Sequence, residues 1–388
     1  MHYKFGGSTA DRTIACPAWH NLSINMPGGP ASLAAIEGTM MHLLFERGVT
    51  DEEFEPAEIL GESRMIEGKK LTVTDTHIDK VYTALEELDQ LIDDLELDEV
   101  VPEVMMNTDD ETGGTADIVG WAVTSRKVVS RFLVADLKTG DGHMVQAENN
   151  KQLLFYVWQA VEKYKADLKF TDDTKFFLSI IQPSERRDQY TDTWEVSLKD
   201  IMTFARAYKQ AQKEAKSGIT TPCAGSHCAY CPAASTCPAK TGLIAAAKRI
   251  PKGSTELKSL IEAMNMVDEV EDWCRSVRKC AHEQAEAGVK LPGWKMVAKR
   301  ATRQWNDESA VADIFKRARS FRIEDYMDMK LKSAPQMEKV CKAKNVDFEK
   351  YTDYISLQSS GTTLVKDTDK RPAVLALPAL ADMAKQLK

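Results

Sequence analysis

The chain has 388 residues, 43% of them hydrophobic and 28% charged, with a formal net charge of −8 at pH 7. That balance describes a globular chain with ample core, and the net charge argues against a generally basic nucleic-acid coat while leaving room for local basic patches. No run approaches the roughly 18 apolar residues of a membrane span, and the opening MHYKFGGSTADRTIACPAW lacks the apolar core of a secretory signal, so a cytoplasmic protein without membrane attachment is expected.

In chain order, residues 31–48 read as a helix starting near Ser32 and stopping at Gly48, and it carries His42. Residues 49–75 are acidic and read as irregular. From Thr76 to about Leu95 the apolar spacing of HIDKVYTALEELDQLIDDL predicts a second helix. EVVPEVMMN, TADIVGWAVTS and RKVVSRFLVADLKTG then read as successive strands, the first two joined by the turn TDDETGG. AENNKQLLFYVWQAVEKYK is an amphipathic helix, KFFLSIIQP a strand closed by Pro183, DTWEVSLKD its partner, and KDIMTFARAYKQAQKEAKSG a helix leading into clustered cysteines. A long helix is expected from about Ser254 to Ala287, then a β segment at GWKMVAKRATRQW and short helices beyond Asp307. The order predicts an α/β fold with a central mixed sheet flanked by helices, and a mostly helical C-terminal extension. The domains are expected at 1–250 and 251–388.

Side chains alternate faces along a strand, so Asp136 and Lys138 project together from the end of RFLVADLKTG. Asp117 in the preceding strand meets them if the two strands pair. Two carboxylates with a backbone carbonyl, that of Leu137, are hard oxygen ligands suited to Mg²⁺ or Mn²⁺. Such an ion lowers the pKa of a bound water, and a neighbouring lysine steadies a charged phosphate. Taken alone, D-x-K is also how a solvated strand end looks. Gln152 and Tyr156 lie on one face of the following helix, where packing is the ordinary role. Glu103 is a further carboxylate, although a surface position is its simpler reading.

The eight cysteines are expected to be reduced in the cytoplasm. Cys223, Cys228, Cys231 and Cys237 form C-x₄-C-x₂-C-x₅-C, a spacing that points to metal: zinc on these four thiolates, with His227 as an alternative ligand, or an iron–sulfur cluster.

G-x-x-x-H at Gly38 and His42, GGTAD ending at Asp117, ADLK with Asp136 and Lys138, and Q-x-x-x-Y at Gln152 and Tyr156 occur in that order. Together they resemble the RecB-like (AddB-like) nuclease branch of the PD-(D/E)XK superfamily over residues 16–237, most closely a phage and prophage group of that branch. The resemblance implies that Asp117 and Asp136 ligate the metal and that His42 ligates it or positions water. It implies that Lys138 stabilises the transition state, and that Gln152 and Tyr156 contact DNA or brace the site. Ala135 stands where a proline often precedes the metal-binding aspartate. It also implies a [4Fe–4S] cluster on Cys16, Cys228, Cys231 and Cys237, stapling the ends of the nuclease domain and leaving Cys223 free.

The function expected from this resemblance is a Mg²⁺- or Mn²⁺-dependent DNA exonuclease in phage recombination or DNA processing, acting beside a phage recombinase or single-strand-binding protein. The rival is a non-catalytic DNA-binding subunit that keeps the fold and the cluster. No G-x-x-x-x-G-K-[ST] occurs, so the chain carries no ATPase motor of that kind. Trp294 and Trp305 flank a basic segment where aromatics and cations can hold nucleic acid, or where a strand simply packs its tryptophans inward.

Overall fold

The computed structural model describes residues 3–26, 33–51, 53–124, 126–142, 144–184, 189–218, 221–247, 257–298, 302–305, 308–318, 320–328, 330–331, 334–344, 346–358, 362–366 and 371–374. The expected helix starts at Ser32 and Ser254 lie outside these. The chain divides into two compact units, Met1–Val277 and Arg278–Lys388.

The first unit opens with α1 (Ala10–Ala15), α2 (Trp19–Ser23) and α3 (Leu33–Thr50). α3 runs through Gly48 instead of stopping there. A Cβ at Gly48 would meet Leu85 Cδ1 at 2.6 Å, so this glycine marks close packing of two helices and not a terminus. The stretch expected to be irregular contains a hairpin, β1 (Ser63–Ile66) with β2 (Lys69–Thr72). Glu67 and Gly68 at its tip have φ of 47° and 77°, as a type I′ turn requires, and Ile66 and Leu71 pack with Ile36 and Met40 of α3. α4 (Asp75–Asp94) follows, its start capped by Thr74 and His77.

A five-stranded mixed sheet forms the centre, in the order β3 (Glu99–Asp109), β4 (Thr112–Val123), β5 (Val129–Leu137), β6 (Lys175–Ile181) and β7 (Thr191–Val196). Every neighbouring pair is antiparallel except β5–β6. A parallel pair needs a crossover, which α5 (Lys151–Tyr164) supplies. Asn150 caps α5 by accepting the Gln152 and Leu153 N–H groups, fixing where the helix begins. On β5, Phe132 and Val134 point into the cluster shared with α5, whereas Leu133, Ala135 and Leu137 join Leu88 and Leu91 of α4. The sheet therefore has helices on both faces. α5 is buried continuously from Leu153 to Val161, because α1 and α6 (Leu198–Lys216) cover the side it turns away from the sheet. α7 (Pro238–Ala247) and α8 (Leu257–Glu286) follow the cysteine segment.

The second unit holds helices Glu308–Arg317, Ile323–Tyr326 and Ala334–Ala343 around Trp305, Phe315, Met337 and Cys341. The segment GWKMVAKRATRQW supplies two strands, each pairing with a later one: Trp294–Ala298 with Thr362–Lys366, and Thr302–Trp305 with Ile355–Gln358. Trp305 is buried and Trp294 is exposed. No described helix is long and apolar enough to cross a membrane.

Candidate active site

Three strands bring one carboxylate each to the same level of the sheet. The pairs Pro102↔Ile118 and Val104↔Ala116 bracket Glu103 and Asp117 as opposite neighbours, and Ile118↔Ala135 carries the register on to Asp117 and Asp136. Glu103 achieves this in strained backbone, at φ 47° within a strand. α3 contributes His42, whose Nδ1 hydrogen-bonds Asp117 Oδ1 at 3.1 Å. The other carboxylate oxygen of Asp117 accepts the Leu137 N–H at 2.7 Å, which ties β4 to the end of β5.

Asp136 is 3% exposed and lies on the α5 side of the sheet, as the alternation of β5 predicts. Gln152 Nε2 donates to its Oδ1 at 2.9 Å. Lys138 Nζ lies 2.6 Å from Asp136 Oδ2 as an ion pair, and that oxygen accepts no directed hydrogen bond among the described residues. Lys138 Nζ donates to Gln152 Oε1 at 3.1 Å, and Gln152 Nε2 reaches the Tyr156 hydroxyl at 3.3 Å. Gln152 therefore grips both ends of the D-x-K pair. Tyr156 fits a slot that two glycines leave: a Cβ at Gly7 or Gly114 would come within 2.6 or 3.0 Å of its ring.

The electrostatics follow from crowding acids in a half-dry place. Burial, then the neighbouring Asp117, raise the Glu103 carboxyl to about 7, with His42 opposing. Burial also pushes Asp136 up, against the Lys138 ammonium. For His42 burial disfavours the charged ring, yet the hydrogen bond and charge of Asp117, with Asp136 and Glu103 beyond, prevail and raise its pKa. Burial likewise holds the Tyr156 phenol in its neutral form. Three carboxylates converging on so little counter-charge suit a divalent cation.

His42, Glu103 and Asp117 each offer a ligand atom within 4.8 Å of the others, the one such group of His, Cys, Asp and Glu among the described residues. One imidazole and two carboxylates could hold a divalent metal, and Asp136, ion-paired through Oδ2 with Lys138, adds a third carboxylate beside them. Of these, His42, Asp117 and Asp136 line an open cavity of about 750 Å³, together with Leu137, Lys138, Gln152, Tyr156 and Tyr230, and Glu103 stands behind them beside Asp117. The loop after β5 borders it and is pinned from two sides. Lys80 of α4 donates to Thr139 O at 3.0 Å and pairs with Asp141 at 2.8 Å, and Gln182 donates to Gly140 O at 2.8 Å.

The structure thus gathers His42, Asp117, Asp136, Leu137, Lys138, Gln152 and Tyr156 in one place. Sequence reasoning set aside Glu103 and did not single out Lys80, Gln182 or Tyr230. The register of β3 against β4 was the signal for Glu103, and it is fixed only once the strands pair.

The cysteines form a second locus. Cys16 caps the end of α1, and its Sγ accepts the Cys223 N–H at 3.3 Å across 207 residues. His227 hydrogen-bonds the thiols of Cys16 and Cys228 and is raised to about 11 by them. Burial would raise the Cys16 and Cys228 thiols, but His227 and nearby backbone hydrogen bonds together draw both down. Cys231 is half-buried, Cys237 is buried at the head of α7, and Cys223 is exposed. All eight cysteines are unpaired by disulfides.

Among solved structures the chain is similar to one described as "Putative exonuclease" from Eubacterium rectale, at 7% identity and a TM-score of 0.29, over 55% of this chain and 86% of that one. A second, SSO0001, matches at 16% identity and a TM-score of 0.22, over 53% and 96% of the two chains. Likenesses this slight carry no argument about activity. The model of the family described as "Protein of unknown function (DUF2800)" matches residues 2–372. The chain belongs to the DUF2800 family.

Proposed function

We propose that this protein is a Mg²⁺- or Mn²⁺-dependent deoxyribonuclease that hydrolyses phosphodiester bonds in linear DNA, as an exonuclease. The observation that carries the reading is the row Glu103, Asp117 and Asp136 across three strands, with His42 and Lys138 beside it. His42, Glu103, Asp117, Asp136 and the Leu137 carbonyl are the ligands. A divalent ion held there would supply Lewis acidity toward the phosphate and toward a water.

The chain's own residues do the rest. Lys138 presents its ammonium at the mouth of the carboxylate row, where it orients the attacking water and faces the charge that builds on the phosphoryl oxygens. Gln152 holds Lys138 and Asp136 in register through its amide, and Tyr156 braces Gln152. The clamp by Lys80 and Gln182 keeps the bordering loop in place. Catalysis by positioned charge requires such fixed geometry.

A [4Fe–4S] cluster on Cys16, Cys228, Cys231 and Cys237 joins the ends of this fold in the same reading. The approach of Cys16 to Cys223 and His227 supports it, and zinc on Cys223, Cys228, Cys231 and Cys237 is the competing occupant. Residues 1–250 are the catalytic core, and 251–388 an extension that contacts DNA or a partner. The setting is phage recombination or other DNA processing, beside a recombinase or single-strand-binding protein.

The test is digestion of end-labelled linear single- and double-stranded DNA beside a closed circle, with and without Mn²⁺. Metal-dependent loss of the linear substrates, abolished by Asp136→Ala and Lys138→Ala in folded protein, is the expected result. Retention of wild-type rates by both variants sinks the assignment.

A further inference from the structure

Tyr230 is 86% exposed, more than any other large hydrophobic side chain described. A single exposed aromatic is ordinary in itself; what sets Tyr230 apart is where the chain holds it. Its main chain is firmly held: Ala229 N–H donates to Ser226 O at 3.2 Å, Cys231 N–H to Cys228 O at 3.0 Å, and the Arg12 guanidinium to Tyr230 O. The backbone is fixed on both sides while the ring stands free. Tyr230 lines the same cavity as His42, Asp117, Asp136 and Lys138.

Resting on the nuclease reading above, we propose that Tyr230 is a substrate-positioning residue. It stacks on an unpaired base of the strand whose phosphate lies at Asp117 and Asp136. The cavity carries two chemistries, an ammonium with carboxylates that would hold a divalent cation at one part and an exposed tyrosine at another, and a nucleotide presents the matching pair, phosphate for the cations and base for the ring. Stacking is indifferent to sequence because every base has a π-face. It also demands that the base be unpaired, so the substrate class is single-stranded DNA or a frayed end. The cysteine segment then has a role beyond stability: it delivers Tyr230 to the cavity from between Cys228 and Cys231.

The experiment measures binding of a labelled oligothymidylate by fluorescence anisotropy in Mn²⁺, beside an abasic deoxyribose-phosphate strand of equal length. Tyr230→Ala should weaken oligothymidylate binding about five- to a hundred-fold, as loss of one base stack does. Tyr230→Phe and Tyr230→Trp should stay within about two-fold of wild type, because the ring does the stacking. On the abasic strand, wild type and Tyr230→Ala should bind alike, and Mn²⁺ affinity should be unchanged throughout. Equal binding of oligothymidylate by wild type and Tyr230→Ala overturns the proposal, and so does an equal loss on both strands, which would mean a backbone contact. A wild type that binds in this pattern without cleaving DNA refutes the nuclease reading and leaves Tyr230 standing. A wild type that cleaves while Tyr230→Ala matches it leaves the nuclease and removes Tyr230. If wild type binds neither strand, both fall.

Discussion

Glu103 faces Asp117 directly across the β3–β4 ladder, in backbone that few residues other than glycine adopt, at φ 47°. Such a conformation costs on the order of 1–3 kcal/mol and persists where the surroundings over-determine it. Here it sets a second carboxylate beside Asp117 and His42. Glu103→Gln keeps the shape and removes the charge. It is expected to weaken Mn²⁺ binding by about ten-fold or more, measured by titration calorimetry, and to raise the melting temperature of the metal-free protein above neutral pH by relieving repulsion with Asp117. A glutamate serving only as a surface residue would move neither.

The same crowding makes the metal-free fold sensitive to pH. Glu103 is raised from 4.5 to about 7, so between those values the folded state holds a proton that the unfolded chain has released. Stability therefore falls as pH rises through that window. Asp136, raised by burial, acts in the same direction. His42, raised as well, contributes stability below its unfolded value that is lost on the way up. Metal-free protein should melt lower at about pH 8 than at about pH 5.5. Mn²⁺ should raise the melting temperature more at the higher pH, where its ligands are already deprotonated. Equal melting temperatures at both pH values without metal would contradict this charge balance.

Much of this was legible before any strand was paired. The β5 alternation placed Asp136 and Lys138 together, and the helical spacing put Gln152 and Tyr156 on one face. Both are local periodicities, and both are where the structure has them. Glu103 was illegible because its role depends on the register between two strands and on an unusual φ, neither of which leaves a local pattern. The hairpin at 63–72 was missed for a similar reason. Its type I′ turn is built on Glu67–Gly68, where the usual signal is Asn-Gly or Asp-Gly. Gly48 misled because a glycine at a helix end and a glycine at a helix crossing look alike until Leu85 is in view.

Lys138 and Gln152 should separate by what they do. Lys138→Ala is expected to lower kcat about a hundred- to a thousand-fold with little change in Mn²⁺ affinity, because the ammonium meets charge that develops in the transition state. Gln152→Leu frees both Asp136 Oδ1 and Lys138 Nζ from their amide partner. It should cost kcat less, by about ten-fold, and perturb metal binding as well. Steady-state kinetics beside metal titration distinguishes the two patterns.

The slot for Tyr156 predicts a stability defect that comes from packing and not from charge. A Cβ at Gly7 would lie 2.6 Å from two ring atoms of Tyr156 and 2.9 Å from its hydroxyl. The ring is buried and has little room to yield. Gly7→Ala should destabilise by about 1–3 kcal/mol through overpacking, and should lower activity by displacing the brace on Gln152. Tyr156→Phe, which loses one hydrogen bond at 3.3 Å, should cost only about 1 kcal/mol. Chemical denaturation of the two variants tests the order.

The cysteine locus offers two assignments that differ in which thiol matters. A [4Fe–4S] cluster on Cys16, Cys228, Cys231 and Cys237 makes Cys16 essential and Cys223 dispensable; zinc on Cys223, Cys228, Cys231 and Cys237 reverses that. Cys16 meets the cysteine segment across 207 residues, and a cross-link closing so long a loop is worth on the order of 5 kcal/mol in the loop-closure picture. Anaerobically purified protein is expected to be brown, absorbing broadly near about 400 nm. Cys16→Ser should lose both the colour and several degrees of melting temperature, while Cys223→Ser keeps both. Colourless protein that carries stoichiometric zinc, and loses it in Cys223→Ser but not in Cys16→Ser, would instead establish the zinc site. In that event the tie between Cys16 and the segment rests on the Cys223 amide and His227 alone.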